Sequence, residues 1–197
     1  APHSWAFLFI KVLGDFCVIS CMKRLWLILF VLFFVGCSKP IKKESFIDKG
    51  GLKYHPETKE LYSGEVFSFY MGGNKKSETT YKDGKKDGLD TYWHENGQKF
   101  HESTFKNGKQ DGLLTMWYDN GQKWEEGTFK DGKQDGLFTE WYENGQKKSE
   151  MNFKYGNYDG LLTIWYENGQ KWEEGSWKGG KPISSKYWNE DGSVKND

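Results

Sequence analysis

The sequence predicts an all-β protein: an open antiparallel β-meander of repeated hairpins, laid out as an elongated single-layer sheet. Three observations predict it. The phrase WYENGQK at 165–171 recurs nearly unchanged at 141–147, as WYDNGQK at 117–123 and as WHENGQK at 93–99, each copy 24 residues from the next. Asp-Gly pairs at 87–88, 111–112, 135–136 and 159–160 keep the same period, and a fixed period of this length marks a repeat architecture. Between these phrases stand short aromatic and β-branched runs, which suit strands, while no stretch carries a helical period of useful length.

Composition agrees with a folded repeat array. Aromatics make up 18% of 197 residues, with 10 Trp, too many for a disordered chain. Formal charge is zero, so nothing in the balance points to nucleic acid. Arg24 is the sole arginine, and bidentate phosphate or carboxylate clamps favour that residue. Cys17, Cys21 and Cys37 all lie near the start, which leaves the repeats without thiol chemistry.

Residues 1–21 read as an over-extended reading frame, with translation expected to begin at Met22. From there MKRLWLILFVLFFVGCSKP has a basic start at Lys23 and Arg24 and an apolar run from Leu25 to Val35. That run is too short to span a bilayer and suits a signal peptide, residues 22–36. Its end, FVGC, resembles the bacterial lipobox. The resemblance implies cleavage between Gly36 and Cys37 and acylation of Cys37, hence a lipid-anchored protein of the cell envelope. Ser38 after the cysteine implies delivery to an outer membrane. Residues 37–50 then read as a tether.

The repeat array is expected over 51–197, with units at 63–86, 87–110, 111–134, 135–158 and 159–182 and partial ends. Within one unit, LLTMWY (113–118) is a strand, Asp119-Asn120-Gly121 a turn and KWEEGTF (123–129) the return strand; KDGKQDG leads onward. The unit WYENGQKKSEMNFKYGNYDG, 141–160, resembles the bacterial MORN-repeat variant family. The resemblance implies a sheet of hairpins serving as a scaffold, and no particular chemistry. Some relatives carry an antitoxin label, and an antitoxin or immunity partner is one alternative; a lipid anchor argues against it.

Differences between units suggest a register. A three-residue loop at Glu95-Asn96-Gly97 pairs Tyr92 with Phe100, Met116 with Trp124, Glu140 with Lys148 and Ile164 with Trp172, so the one charged pair has opposite signs. A two-residue Asn-Gly loop would set Glu140 opposite Ser149 instead. With the first register, Leu113, Thr115, Trp117 and Phe129 share one face with Leu137, Thr139, Trp141 and Phe153. These barely vary and are expected to pack. The opposite, varying face carries Leu114, Met116, Tyr118 and Trp124, then Phe138, Glu140, Tyr142 and Lys148, then Ile164, Tyr166 and Trp172. It is the candidate binding surface, unless the wetter side of the sheet merely drifts.

Little catalytic chemistry is legible. The loop from Asp131 places Lys133 where a calcium ligand belongs. His94 and His101 fall short of a zinc set. Glu125-Glu126 and Glu173-Glu174 recur, whereas a glycosidase pair would stand once. Neither enzyme, cofactor nor metal site is expected. A protein partner is expected instead. The alternative is a glycan or cell-wall ligand, since WYENG distantly resembles choline-binding repeats, although no unit has their Gly-Trp pair.

Overall fold

The computed structural model describes residues 41–195. The signal region, Gly36, Cys37 and the first part of the expected tether lie outside them. Strands β4 (Gly64–Phe69), β5 (Lys75–Lys82), β6 (Lys85–Trp93), β7 (Lys99–Lys106), β8 (Lys109–Trp117), β9 (Lys123–Lys130), β10 (Lys133–Trp141), β11 (Lys147–Lys154), β12 (Asn157–Trp165), β13 (Lys171–Lys178) and β14 (Lys181–Tyr187) follow one another across a single open sheet, each antiparallel to the next. The meander expected from the repeats is therefore present. Strands stand about 4.8 Å apart, so these eleven span on the order of 50 Å.

From Ile41 the segment expected to be a tether is already structured. β1 (Ile41–Lys42) pairs parallel to β4, with Ile41 opposite Val66, and a short 3-10 turn follows at Lys43–Ser45. A small hairpin, β2 (Ile47–Lys49) and β3 (Leu52–Tyr54), completes this end. Phe46 packs edge-on against Tyr62 at 4.8 Å and stacks on Tyr81 at 6.4 Å.

Two turn types alternate. At the Asp-Gly ends, Asp131 and Gly132 both take positive φ, 51° and 81°, between the paired residues Lys130 and Lys133. This tight two-residue turn matches strand twist and favours Asn or Asp followed by Gly. At the Asn-Gly ends, Tyr142 N–H donates to the Gln146 carbonyl (2.8 Å) and Gly145 N–H to the Tyr142 carbonyl (2.9 Å). The loop there is Glu143-Asn144-Gly145, three residues, as the sequence suggested.

The register beyond that loop corrects the expectation. Trp141 pairs with Lys147, but Glu140 then pairs with Ser149, because Lys148 is an extra residue in a β-bulge. The same shift sets Tyr92 opposite His101, Met116 opposite Glu125 and Ile164 opposite Glu173. Phe100, Trp124 and Trp172 are thus bulge residues rather than cross-strand partners. A bulge places two residues against one and re-aims its side chains, so Lys148 still brings its Nζ within 3.4 Å of Glu140.

The faces are reversed as well. Leu113 and Leu137 are each 49% exposed, while Leu114 is 6% and Phe138 2% exposed. Of the expected packing face Thr115 and Thr139 are buried and the leucines are not, while the apolar core lies on the varying face. Its central row runs through successive partners Val66, Thr79, Asp90, Ser103, Leu114, Gly127, Phe138, Met151, Leu162 and Gly175. Variation here is compensated across strands. A Cβ on Gly127 would stand 2.4 Å from the Phe138 ring, so the largest side chain of the row fits because a glycine faces it. Phe129 and Phe153 join this face, their rings 5.3 and 5.1 Å from Phe138, instead of accompanying Leu113. The chain is redirected by Gly136 (φ +113°), where the register of β9 and β10 slips and Thr128 leaves no room for a Cβ.

Candidate interaction surface

Each letter of the repeated phrase serves contact between neighbouring hairpins. Tyr118 donates its hydroxyl to the Trp141 carbonyl (2.8 Å), Tyr142 to Trp165 (2.7 Å) and Tyr70 to Trp93 (2.7 Å). Asn120 and Asn144 reach the carbonyls of Glu143 and Glu167 with their amides and accept from Gln122 and Gln146 N–H with their Oδ1 (both 2.9 Å). Gln122 lies over Gly145, its Oε1 2.8 Å from where a Cβ would stand. Lys123 approaches the Trp141 ring at 5.7 Å and pairs with Glu126. At the opposite ends Asp111 accepts from Asp131 N–H (3.1 Å) and Asp87 from Asn107 N–H (2.9 Å). The Asp-Gly carboxylates that invite a calcium reading are thus bound to the next turn.

This assigns the candidate surface residues. Leu114 and Phe138 are buried in the core and cannot meet a partner; the expectation that they do is corrected by their place in the packed central row. Tyr118, Tyr142 and Tyr166 bond their hydroxyls to the following unit. Met116, Trp124, Glu140, Lys148 and Ile164 are half-buried, and Trp172 is exposed. Glu125 faces Glu140 across β9 and β10, and burial, then the Glu140 charge, push the Glu125 carboxyl above its usual range.

The constant face is open to solvent along its leucine row and closed along its threonine row, where Thr91, Thr115, Thr139 and Thr163 are buried. It carries three rows across the strands. Trp93, Trp117, Trp141 and Trp165 pair with Lys99, Lys123, Lys147 and Lys171. Thr91, Thr115, Thr139 and Thr163 alternate with Glu102, Glu126, Glu150 and Glu174. Leu89, Leu113, Leu137 and Leu161 are all exposed. The Trp, Lys, Thr and Glu side chains engage one another or the backbone. The leucines alone are constant without a partner that needs them.

One unit differs. Where the others bury Leu114, Phe138 or Leu162, Asp90 is buried, 2% exposed. Lys86 pairs with it and Thr79 donates its hydroxyl to Oδ1. Burial lowers Lys86, and the bond and charge of Asp90 outweigh it, so its pKa is raised. Burial depresses the neighbouring His101, whose Nε2 lies 2.9 Å from Ser103 Oγ. Sequence reasoning missed this cluster. Its signal was present: Asp90 and Lys86 replace Leu and Gln together, in a single unit.

The model of the MORN repeat variant matches residues 86–107, 110–131, 134–155 and 158–178. A comparison with curated proteins finds no match. Each matched segment starts within β6, β8, β10 or β12 and ends at or just before the two-residue turn that follows the next strand, so it covers one hairpin with its Asn-Gly end. Four consecutive matches fall on four consecutive, mutually bonded hairpins, so residues 86–178 are built of MORN-repeat variant units.

Proposed function

We propose that this protein is a lipid-anchored scaffold of the cell envelope that presents the constant face of its sheet to a protein partner. Repeats of this family generally mediate contacts with proteins or membranes and form a non-catalytic scaffold. The observation that carries the reading is the row Leu89, Leu113, Leu137 and Leu161, exposed at one position of each successive unit. The leucines stand on every second strand, opposite Thr104, Thr128, Asn152 and Ser176, so the row offers one exposed apolar side chain per hairpin at a regular spacing, and clustered exposed apolar side chains mark interaction sites. The flanking Lys–Glu pairs leave the face neutral and suit a protein better than a polyanion.

Two experiments test it. Cys37 should incorporate labelled palmitate, and Cys37→Ala should abolish incorporation and leave the precursor unprocessed; labelling that survives the substitution removes the anchor. A photoreactive residue at position 113 or 137 should give a protein adduct of discrete mass in cells, and one at Ile47, exposed in the small hairpin, should not. Adducts to polysaccharide alone would replace the protein partner with a glycan.

A further inference from the structure

The charges of the sheet sort by edge. On the constant face Lys75, Lys99 and Lys171 close onto Glu78, Glu102 and Glu174, as Lys123 and Lys147 do onto Glu126 and Glu150. Further charges stand at the hairpin ends. The Asp-Gly ends carry lysines that face each other across the ladder: Lys82 and Lys85, Lys106 and Lys109, Lys130 and Lys133, Lys178 and Lys181. Among the described residues, Lys178 alone of these has an ion-pair partner, Asp159. Asp83 and Asp131 stand exposed in two of these turns, and Asp87, Asp111 and Asp135 lie nearby, each lending a carboxylate oxygen to a turn N–H; the lysines of this edge, Lys154 included, still outnumber its carboxylates.

The Asn-Gly ends are the reverse. Glu95, Asp119, Glu143 and Glu167 occupy the first turn position, exposed. Their backbone carbonyls accept from the asparagine of the preceding unit, while their carboxylates have no ion-pair partner among the described residues. A chain of zero formal charge therefore presents one lysine-rich edge and one carboxylate edge.

From this geometry we propose that copies of the chain associate side by side, the Asn-Gly edge of one against the Asp-Gly edge of the next. Both edges are ends of the same hairpins, so they share one pitch of two strands, about 9–10 Å. Aligning one carboxylate with one lysine couple aligns the others. The second copy is the occupant that matches this pitch by construction. The contact joins two different surfaces, so it does not close on itself and extends into an open row. Each exposed pair is weak and screened by salt; association depends on several pairs closing together and dissolves as ionic strength rises. The inference concerns the edges and is independent of the leucine face.

The test uses the full chain in neutral detergent with a zero-length carbodiimide, which joins a carboxylate only to an amine in contact with it. At low salt the wild-type chain should give a ladder of multimers beyond the dimer, lost at about 0.5 M salt, where screening acts within a few ångströms. Two variants reverse one edge each: Lys106→Glu with Lys109→Glu, Lys130→Glu and Lys133→Glu, or Asp119→Lys with Glu143→Lys and Glu167→Lys. Each alone should lose the ladder at least tenfold, and an equal mixture should recover it. Circular dichroism establishes that both fold; should either unfold, the corresponding Gln and Asn substitutions replace it and should likewise lose the ladder. A monomeric wild type, a product that stops at the dimer, reversal without effect, or a mixture that fails to recover overturns the proposal. The ladder should persist in Leu113→Glu with Leu137→Glu, which separates this outcome from failure of the leucine face.

Discussion

The Tyr118 hydroxyl donates to the carbonyl of Trp141, 23 residues along the chain and 2.8 Å away. The bond crosses from one hairpin end to the next, and its counterparts recur at Tyr142 and Tyr166. Tyr118→Phe should lower stability by about 1 kcal/mol, the typical net worth of one hydrogen bond, as read from chemical denaturation. In the second unit the position is His94, whose Nε2 is buried with no partner. His94→Tyr should raise stability by a similar amount, because a phenol supplies the missing donor.

Gly127→Ala should be costly although it adds one carbon. The new Cβ would stand 2.4 Å from the Phe138 ring, and overpacking of this kind costs about 1–3 kcal/mol. Adding Phe138→Leu, the residue that Leu114 and Leu162 already place in this row, should recover most of the loss. A double variant no more stable than Gly127→Ala would show that the ring is not what the alanine meets.

Glu125 gives a pH signature. Its pKa is raised by burial and by Glu140. A carboxyl with a raised folded pKa contributes stability at low pH, where it is protonated in both states, and that contribution is lost as pH rises above the usual carboxylate range. Glu125→Gln should therefore raise the melting temperature at pH 7, with the gain shrinking toward acid. A gain that grows toward acid would contradict the assignment.

The bulge makes a further distinction. Lys148→Glu should destabilise slightly by meeting Glu140, which already faces Glu125, and adding Glu140→Lys should restore the loss, within about 0.2–1 kcal/mol for an exposed pair. A double-mutant cycle measures it. Placing Glu at Ser149 should instead cost stability, because Ser149 is buried, even though 149 is the residue directly opposite Glu140.

Asp111→Ala should cost about 0.5–1.5 kcal/mol by leaving the Asp131 N–H without its acceptor. Chelator should not change the melt of the parent chain. A large loss with chelator would return the Asp-Gly loops to calcium.

The meander and the three-residue loop were legible because period and turn chemistry act locally: Asn-Gly and Asp-Gly specify backbone conformations that few other residues accept. The register was not. A bulge adds one residue without a signature in side-chain type, and Glu140 with Lys148 look like partners in either geometry because both lie near each other in space. From that slip the faces were exchanged. Constancy among units then misled, since Leu113 and Leu137 repeat without being buried while Leu114 and Phe138 vary within a packed row. Variation at Phe138 is set by Gly127 across the strand, a coupling that a single unit read alone does not display.

On the proposal that Cys37 is acylated, the pairing of β1 with β4 sets how far the sheet stands from that anchor. Ile41 is already fixed to the sheet, and four peptide links separate it from Cys37, at most about 14 Å of fully extended chain. With Cys37 acylated, the first strand is confined close to the lipid headgroups and cannot wander as a leashed domain would. The sheet's length is counted in hairpins: deleting one 24-residue unit shortens it by about 10 Å, and inserting one lengthens it equally, without altering the end that carries β1.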